Sequence, residues 1–336
     1  MHALLSGLGL RSPLIAAPMA GGPSTTALVL AAARAGALGF LAAGYKTPSV
    51  LQEQLAAVRG VSFGVNLFAP NPVPADPAAY ARYAAVLRAD GLTVPEGGPV
   101  EDDDHWRDKL DLLLAAPVPV VSFTFGIPDR STVAALRSAG SIVAQTVTSA
   151  TEAWQAASAG VDALVVQASA AGGHCGTLTP SAVPPPVPLL DLLASVRPTG
   201  LPLFAAGGLA TPGGVAAALR AGAAAAVVGT VLLRTPESGT SAPYRAALAD
   251  PSRTQTVVTR AFSGRPARAL RNRFVERYDA VAPAGYPAVH HLTAPLRRAA
   301  AAAGDAEHIN LWAGTGFRHA TPTPAADLLT TLAADT

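Results

Sequence analysis

A histidine next to two glycines follows an apolar stretch of the chain and could act as a proton acceptor. His174 comes after Gly172 and Gly173, shortly beyond the apolar segment 163–167. Imidazole has an unperturbed pKa of about 6.5, so it can serve as a proton acceptor near neutral pH. Six further histidines lack this placement: His2, His105, His290, His291, His308 and His319. His174 is therefore our candidate base, and we interpret the adjacent Cys175 as a small space-filler rather than a nucleophile.

Two glycine-containing turns later in the chain are suited to cradle a phosphate. Gly207 and Gly208 follow one apolar segment, and Gly229 and Thr230 follow the next. Glycine lets the backbone approach a ligand closely, and free N–H groups at a helix start carry partial positive charge. Either turn alone could be an ordinary turn, but the pair favours phosphate binding. A site built on backbone N–H groups also suits a chain that is poor in charge.

Two amide side chains interrupt apolar segments near the predicted site. Asn66 lies in the segment Gly64–Phe68, and Gln167 ends the segment 163–167. Buried amides must be hydrogen-bonded. They could bracket a polar heterocycle that offers both donors and acceptors, or each could bond a neighbouring loop.

The composition limits the function classes that fit the chain. Half of its 336 residues are hydrophobic and 14% are charged, with a formal net charge of +2, so disorder and a nucleic-acid partner are not expected. A single cysteine excludes an intrachain disulfide framework and a Cys-rich metal site. The amino terminus does not resemble a secretion signal, and Arg34 interrupts the most apolar stretch, 26–45. We predict a cytoplasmic enzyme without a membrane span, and the large apolar fraction is compatible with a homodimer.

Short apolar runs alternate with Ala-rich helical stretches along most of the chain. The predicted strands are Pro13–Pro18, Leu38–Ala42, Phe63–Phe68, Val118–Phe125, Ser141–Thr146, Ala163–Gln167, Leu201–Ala206 and Ala225–Val228. The predicted helices are 24–36, 48–59, 76–90 with 104–116, 129–139, 149–159, 186–197 and 211–221. Runs that are apolar throughout suit parallel strands covered on both faces. The pattern predicts a single (β/α)₈ TIM barrel over residues 1–235, with an irregular C-terminal extension, 236–336, packing on it in the same domain.

An open, doubly wound sheet is the alternative fold. It is disfavoured because the segment after the first strand, AAPMAGGPS, is not the glycine fingerprint of dinucleotide-binding sheets. Residues 91–108 form an acidic, Gly/Pro-rich excursion that we predict to be a surface loop. Its run Glu101–Asp104 is interpreted as a solvated helix start, and no metal site is predicted.

A set of short motifs resembles the flavin-dependent nitronate monooxygenases, formerly called 2-nitropropane dioxygenases, which use FMN. The matching pieces are PLIAAPM (13–19), ALGFLAAGY (37–45), GVNLF (64–68), AGGH (171–174), AAGGL (205–209), VVGT (227–230), LWAGTG (311–316) and the tail segment 259–272. They occur in the family's order from about residue 10 to 318. Each piece alone is a weak signal, but the ordered set is specific.

This resemblance implies a barrel that holds FMN, with His174 as the base that removes a proton α to a nitro group. Nitronates or nitroalkanes would react with O₂ to give a carbonyl compound and nitrite. The cofactor contacts implied are Ala17, Pro18, Met19, Asn66, Gln167, Gly172, Gly173, Gly207, Gly208, Val227, Val228, Gly229 and Thr230. Tyr45, Phe68 and residues of the C-terminal tail are expected to face the substrate.

The chain departs from the family pattern at three positions. The family motif Q-G-x-E-A-G-G-H corresponds to residues 167–174, where this chain has Ala168 in place of the first glycine and Ala170 in place of the glutamate. In the family motif W-A-G-Q-G, Thr315 replaces the glutamine. A lost carboxylate near the base would alter its pKa and the pocket shape, so substrate choice is the property these changes affect. Three alternatives stay open: an FMN-dependent enoyl reductase using NAD(P)H, a non-redox barrel enzyme with a phosphorylated substrate, and a flavin-binding protein without turnover.

Overall fold

Eight parallel strands close into a barrel in the computed structural model, which describes residues 2–336. In order around the barrel they are β1 (Leu14–Ala16), β2 (Leu38–Ala42), β3 (Phe63–Ala69), β4 (Val120–Phe125), β5 (Ile142–Val147), β6 (Ala163–Gln167), β8 (Leu203–Ala206) and β9 (Ala225–Val228), while the short β7 (Gly173–His174) lies outside it. The ring closes where Ile15 of β1 lies opposite Val227 of β9. The predicted (β/α)₈ barrel is therefore confirmed, and the open sheet is excluded.

Both faces of the barrel strands are buried, which explains their continuously apolar sequences. Ile15, Phe40 and Phe204 pack together in one cluster, where Leu5 of the first helix joins them. Val65 and Val121 belong to a different cluster, which packs against the surrounding helices. A strand in this position needs apolar side chains at every residue rather than at alternate ones.

Helices cover the barrel close to where the sequence predicts them. They are α1 (Ala3–Gly7), α2 (Thr26–Arg34), α3 (Pro48–Ala57), α4 (Pro77–Ala89), α5 (Trp106–Ala115), α6 (Arg130–Ser138), α7 (Ala150–Ala159), α8 (Leu189–Val196) and α9 (Pro212–Arg220). Many begin at a capping side chain: Thr25, Asp129 and Thr211, for example, each accept a hydrogen bond from a backbone N–H of the first turn. Such caps fix where each helix begins.

The C-terminal segment folds partly over the barrel mouth and partly against its side. It contains α10 (Ala242–Ala249), β10 (Thr256–Thr259), β11 (Ala267–Leu270), α11 (Arg273–Tyr278), α12 (Ala288–Ala302) and α13 (Ala325–Leu332). Strands β10 and β11 form an antiparallel pair, and β11 also pairs with β7. Leu329 of α13 packs into the cluster that holds Leu28 of α2. Within residues 2–336 we find no helix with the length and apolar character needed to cross a bilayer.

The acidic loop before α5 is anchored to the barrel mouth, which differs from the solvated helix start that we expected. The Asp104 carboxylate pairs with Lys109 at 2.7 Å and accepts a hydrogen bond from the Tyr45 N–H at 2.9 Å. Lys109 is 1% exposed and also donates to the Ala43 carbonyl at 3.0 Å. An ion pair and two backbone bonds therefore hold this loop beside Tyr45. In the described part of the chain, no group of three or more His, Cys, Asp or Glu residues is arranged to hold a metal ion.

Replacing Lys109 by methionine is expected to lower the free energy of unfolding by about 3 kcal/mol, because the partly buried Asp104 carboxylate loses its cation. Urea denaturation of the protein measures this loss. Lys46→Met is the matched control, since Lys46 donates to the Gln54 side chain and pairs with no carboxylate within residues 2–336. Adding Asp104→Asn to Lys109→Met should recover part of the loss, and a purely additive double variant would contradict the ion-pair account.

Candidate active site

A cavity of about 500 Å³ opens at the carboxyl ends of the barrel strands. All but one of the predicted site residues line it: Ala17, Pro18, Met19, Asn66, Gln167, Gly172, Gly173, His174, Gly207, Gly208, Val227, Gly229 and Thr230. Tyr45 and Phe68 line it as well. The exception is Val228, which packs with Leu28 and Val215 between the barrel and its helices. The prediction of a cofactor contact at Val228 is therefore limited to its backbone.

The two glycine turns meet at one side of this cavity, and we call Gly207, Gly208, Gly229 and Thr230 the glycine cradle. Gly207 and Gly208 have φ of +120° and +75°, backbone conformations that L side chains rarely adopt. The N–H groups of Gly208 and Gly229 make no hydrogen bond to a described residue. Helix α9, capped by Thr211, begins just after this turn. Free N–H groups beside a helix start suit an oxyanion such as a phosphate.

His174 lies in β7 rather than in the loop that the sequence predicts. Gly173 and His174 pair with Arg268 and Ala267 of β11, so the C-terminal segment fixes the histidine's backbone. The imidazole Nε2 lies 2.8 Å from the Ser263 hydroxyl, and Nδ1 makes no hydrogen bond among residues 2–336. Burial lowers the pKa of His174 to about 3, helped by nearby guanidinium groups. The ring is therefore neutral at physiological pH and has one nitrogen free to accept a proton.

Both predicted amides line the cavity and also hold neighbouring segments in place. Gln167 donates to the His174 carbonyl at 3.2 Å and accepts from the Gly176 N–H at 2.7 Å. Asn66 Nδ2 lies 2.9 Å from the Ser122 hydroxyl and 3.1 Å from the Thr124 hydroxyl. Gln167 thus positions the segment that carries His174, whichever ligand Gln167 faces.

Several cavity residues come from the C-terminal segment, where the repeating pattern gives no guidance. Among them are His290, Ala294, Arg297, Arg298, Asn310 and Trp312. Arg265, also from this segment, is fully buried and lies 3.9 Å above the Phe125 ring. The sequence signals that could have suggested these residues are the histidine pair, the arginine-rich stretches and the LWAGTG motif (311–316) of the tail.

Two of the three departures from the family pattern lie together beside the cradle. A Cβ atom added to Gly208 would lie 3.3 Å from both the Ala170 Cβ and the Thr315 hydroxyl oxygen. The Thr315 N–H donates to the Ala170 carbonyl at 3.0 Å. Ala170 therefore adjoins the cradle, so the family's glutamate, which this chain lacks, would lie on the cradle side of the cavity.

The stability of the apoprotein should fall as the pH drops from about 6.5 towards 3. The folded-state pKa of His174 is about 3 and that of His290 is also lowered by burial, whereas an unfolded histidine titrates near 6.5. In this window the unfolded chain binds more protons, so stability present above pH 6.5 is lost on acidification. At pH 5 we expect the titration of His174 to have lowered the free energy of unfolding by about 1–2 kcal/mol.

Urea denaturation of apoprotein at pH 7 and pH 5 measures this effect. The His174→Gln variant should lose less stability between these pH values than the wild type does. His319→Gln is the matched control because His319 is exposed. Equal losses in wild type and His174→Gln would show that His174 does not titrate as described.

Comparison with known proteins gives consistent matches over almost the entire chain. The nitronate monooxygenase family model matches residues 3–335. The structure is similar to that of a nitroalkane oxidase from Streptomyces ansochromogenes, with a TM-score of 0.92, 46% identity and coverage of 99% of this chain and 97% of that one. A probable nitronate monooxygenase of Staphylococcus aureus (strain Newman) is 35% identical over 97% of this chain and 94% of its own. FabK from Thermotoga maritima is 25% identical, with a TM-score of 0.77 and coverage of 99% and 94%.

Proposed function

The chain belongs to the nitronate monooxygenase family, and on this premise we propose that it oxidises alkyl nitronates and nitroalkanes with O₂ to a carbonyl compound and nitrite. It is a flavin-dependent oxidoreductase with FMN as its cofactor. In this proposal His174 is the base, and the partners are a small-molecule substrate and O₂. The likeness to a nitroalkane oxidase supports this substrate class.

One observation carries the proposal: the glycine cradle and a neutral histidine line the same cavity. The cradle offers free N–H groups where an FMN phosphate needs donors. The same cavity includes the apolar Val165, Ala206 and Val227, which suit a flat ring, and the amides Asn66 and Gln167. These residues fit FMN in charge and in polarity, and they would hold it with the phosphate on the cradle.

The protein residues supply a base, orientation and shielding from water. FMN held by the glycine cradle and the two amides would supply the redox chemistry, carrying electrons from the substrate to O₂. The Ser263 hydroxyl lies within hydrogen-bonding reach of His174 Nε2, and it accepts a hydrogen bond from the Arg265 N–H. That arrangement fixes the imidazole ring and leaves Nδ1 to take the α-proton of a nitroalkane. The rings of Phe125, Tyr286 and Trp312 pack around His174 and shield part of it from solvent.

Aerobic turnover with product analysis tests the proposed function. Purified holoenzyme is supplied with a primary nitroalkane, or with its preformed nitronate, and nitrite and aldehyde are quantified. We expect the two products in equal amounts, without any requirement for NADH or NADPH. Absence of nitrite from every nitro compound and nitronate would overturn the proposal.

The alternative is an FMN-dependent enoyl reductase that uses NAD(P)H. It predicts rapid flavin reduction by NADPH and turnover of an enoyl thioester, neither of which the first proposal expects. We rank this alternative second because the chain is 46% identical to the nitroalkane oxidase and 25% identical to FabK.

The homodimer and the cytoplasmic location suggested by the sequence stay predictions. Sedimentation of the holoenzyme would test the first, and fractionation of cells that express it would test the second.

A further inference from the structure

Lysine is rare in this chain, and both lysines lie close to the end of the same barrel strand. Of the 24 lysine and arginine residues only two are lysines, Lys46 and Lys109. Lys109 donates to the carbonyl of Ala43, which directly follows β2, and Lys46 comes three residues later in the chain. The two ammonium groups therefore belong to one small cluster, and all other basic side chains apart from histidine are arginines.

The two lysines differ in how their charge is balanced. Lys109 is 1% exposed, and its ammonium pairs with Asp104 at 2.7 Å. Lys46 donates to the side-chain carbonyl of Gln54 at 2.7 Å, and no carboxylate within residues 2–336 pairs with it. Its side chain is partly exposed, so a small molecule can reach the amine. Lys109 is thus closed to reagents, whereas Lys46 is accessible and has no counter-charge.

These surroundings favour the neutral amine of Lys46. Partial burial lowers the pKa of Lys46 to about 8, and the positive charge of Lys109 adds to this effect. At pH 7.5 about a quarter of Lys46 is then unprotonated, against about 0.1% of a lysine in an unfolded chain. Lysines that are desolvated beside another cation are activated as nucleophiles in this way, because only the unprotonated amine reacts.

We propose that Lys46 is a modification site that accepts acyl groups from acyl phosphates or acyl thioesters. The amine nitrogen attacks the acyl carbon and forms an amide, while the bond from that carbon to the phosphate oxygen or thioester sulfur breaks. The electron pair of the broken bond leaves with the phosphate or thiolate, and the proton from the nitrogen passes to solvent. The product side chain carries no charge. Lys46 does not line the cavity, so its acylation is independent of the proposed function.

Comparison of folded with unfolded protein tests this site. Holoenzyme at pH 7.5, and the same protein unfolded in guanidinium chloride, are treated with acetyl phosphate or with acetyl coenzyme A. Peptide mass spectrometry follows the acetylation of each lysine. We expect Lys46 to react at least about 5-fold faster in the folded protein, although folding makes it less accessible, because more of it is unprotonated. Lys109 should react only after unfolding.

The pH dependence of acetylation gives a second readout. In the folded protein the rate at Lys46 should reach half of its plateau near pH 8, whereas in the unfolded protein it should still rise above pH 9. The double variant Lys109→Met/Asp104→Asn removes the neighbouring cation and should move the midpoint to higher pH. Lys46→Arg is the matched control, because it keeps the charge and should abolish the label without transferring it to Lys109.

The outcomes bear on Lys46 alone, since no arm measures oxidation of a nitro compound. If Lys46 reacts no faster in the folded than in the unfolded protein with either donor, or if its midpoint lies near pH 10, the assignment is overturned. Faster reaction of folded protein with only one of the two donors would support the site and identify that donor class as its source of acyl groups.

Discussion

Replacing His174 by alanine should lower the rate of flavin reduction by a neutral nitroalkane about 10²- to 10⁴-fold, the usual contribution of a positioned base. The variant should retain FMN, because the glycine cradle and both amides are unchanged. A preformed nitronate has already lost its α-proton, so its oxidation should slow much less. Anaerobic stopped-flow measurement of flavin bleaching separates the two substrates.

His319→Ala is the matched control for this variant, since it removes an exposed imidazole. Added imidazole should partly restore nitroalkane oxidation to His174→Ala. Equal losses for the nitroalkane and its nitronate would assign His174 to substrate positioning instead of proton removal. A variant that reduced its flavin at the wild-type rate would remove His174 from the mechanism altogether.

Replacing Gly208 by aspartate should weaken FMN binding about 10²- to 10³-fold. The new carboxylate would stand where the phosphate needs an N–H donor, and like charges at close range repel. The φ of +75° at Gly208 adds a cost of about 1–2 kcal/mol for a side chain. Aspartate tolerates this conformation better than most residues, so the fold should be retained.

Fluorescence titration of apoprotein with FMN and with riboflavin makes this test specific. Riboflavin lacks the phosphate, so its affinity should change far less than that of FMN. Gly213→Asp is the matched control, because a Cβ at Gly213 enters open space at the start of α9. Equal losses of the two flavins, or none, would contradict a phosphate on the cradle.

The barrel was predictable from the sequence because its signals are local. Each strand is a short apolar run, and helices such as α2 and α9 begin at Thr caps that stand in the sequence. Such barrels bind ligands at the carboxyl ends of their strands. This rule is what assigns the glycine turns after β8 and β9 to the predicted site. The side-chain alternation of β9 would also have limited the predicted contact of Val228 to its backbone, because Val227 faces the cavity and the next side chain must face outward.

The rest of the site depends on contacts between distant segments. His174 lies in a strand only because Ala267, far along the chain, pairs with it. Arg297 lies on a C-terminal helix whose position over the barrel mouth follows from packing and has no periodic signal. Lys109 and Asp104 likewise become an internal ion pair only when the acidic loop reaches Tyr45. Sequence patterns report local structure and burial, whereas these contacts arise from tertiary packing.

Anaerobic reduction of the bound flavin tests the central claim most directly. Holoenzyme is mixed with a preformed alkyl nitronate in the absence of O₂ and nicotinamide, and the visible flavin absorbance is followed. We predict complete bleaching by the nitronate, recovery of the absorbance when O₂ is admitted, and only slow bleaching by NADPH. A flavin that stays oxidised with every nitronate but is bleached rapidly by NADPH would contradict the account and favour the enoyl reductase.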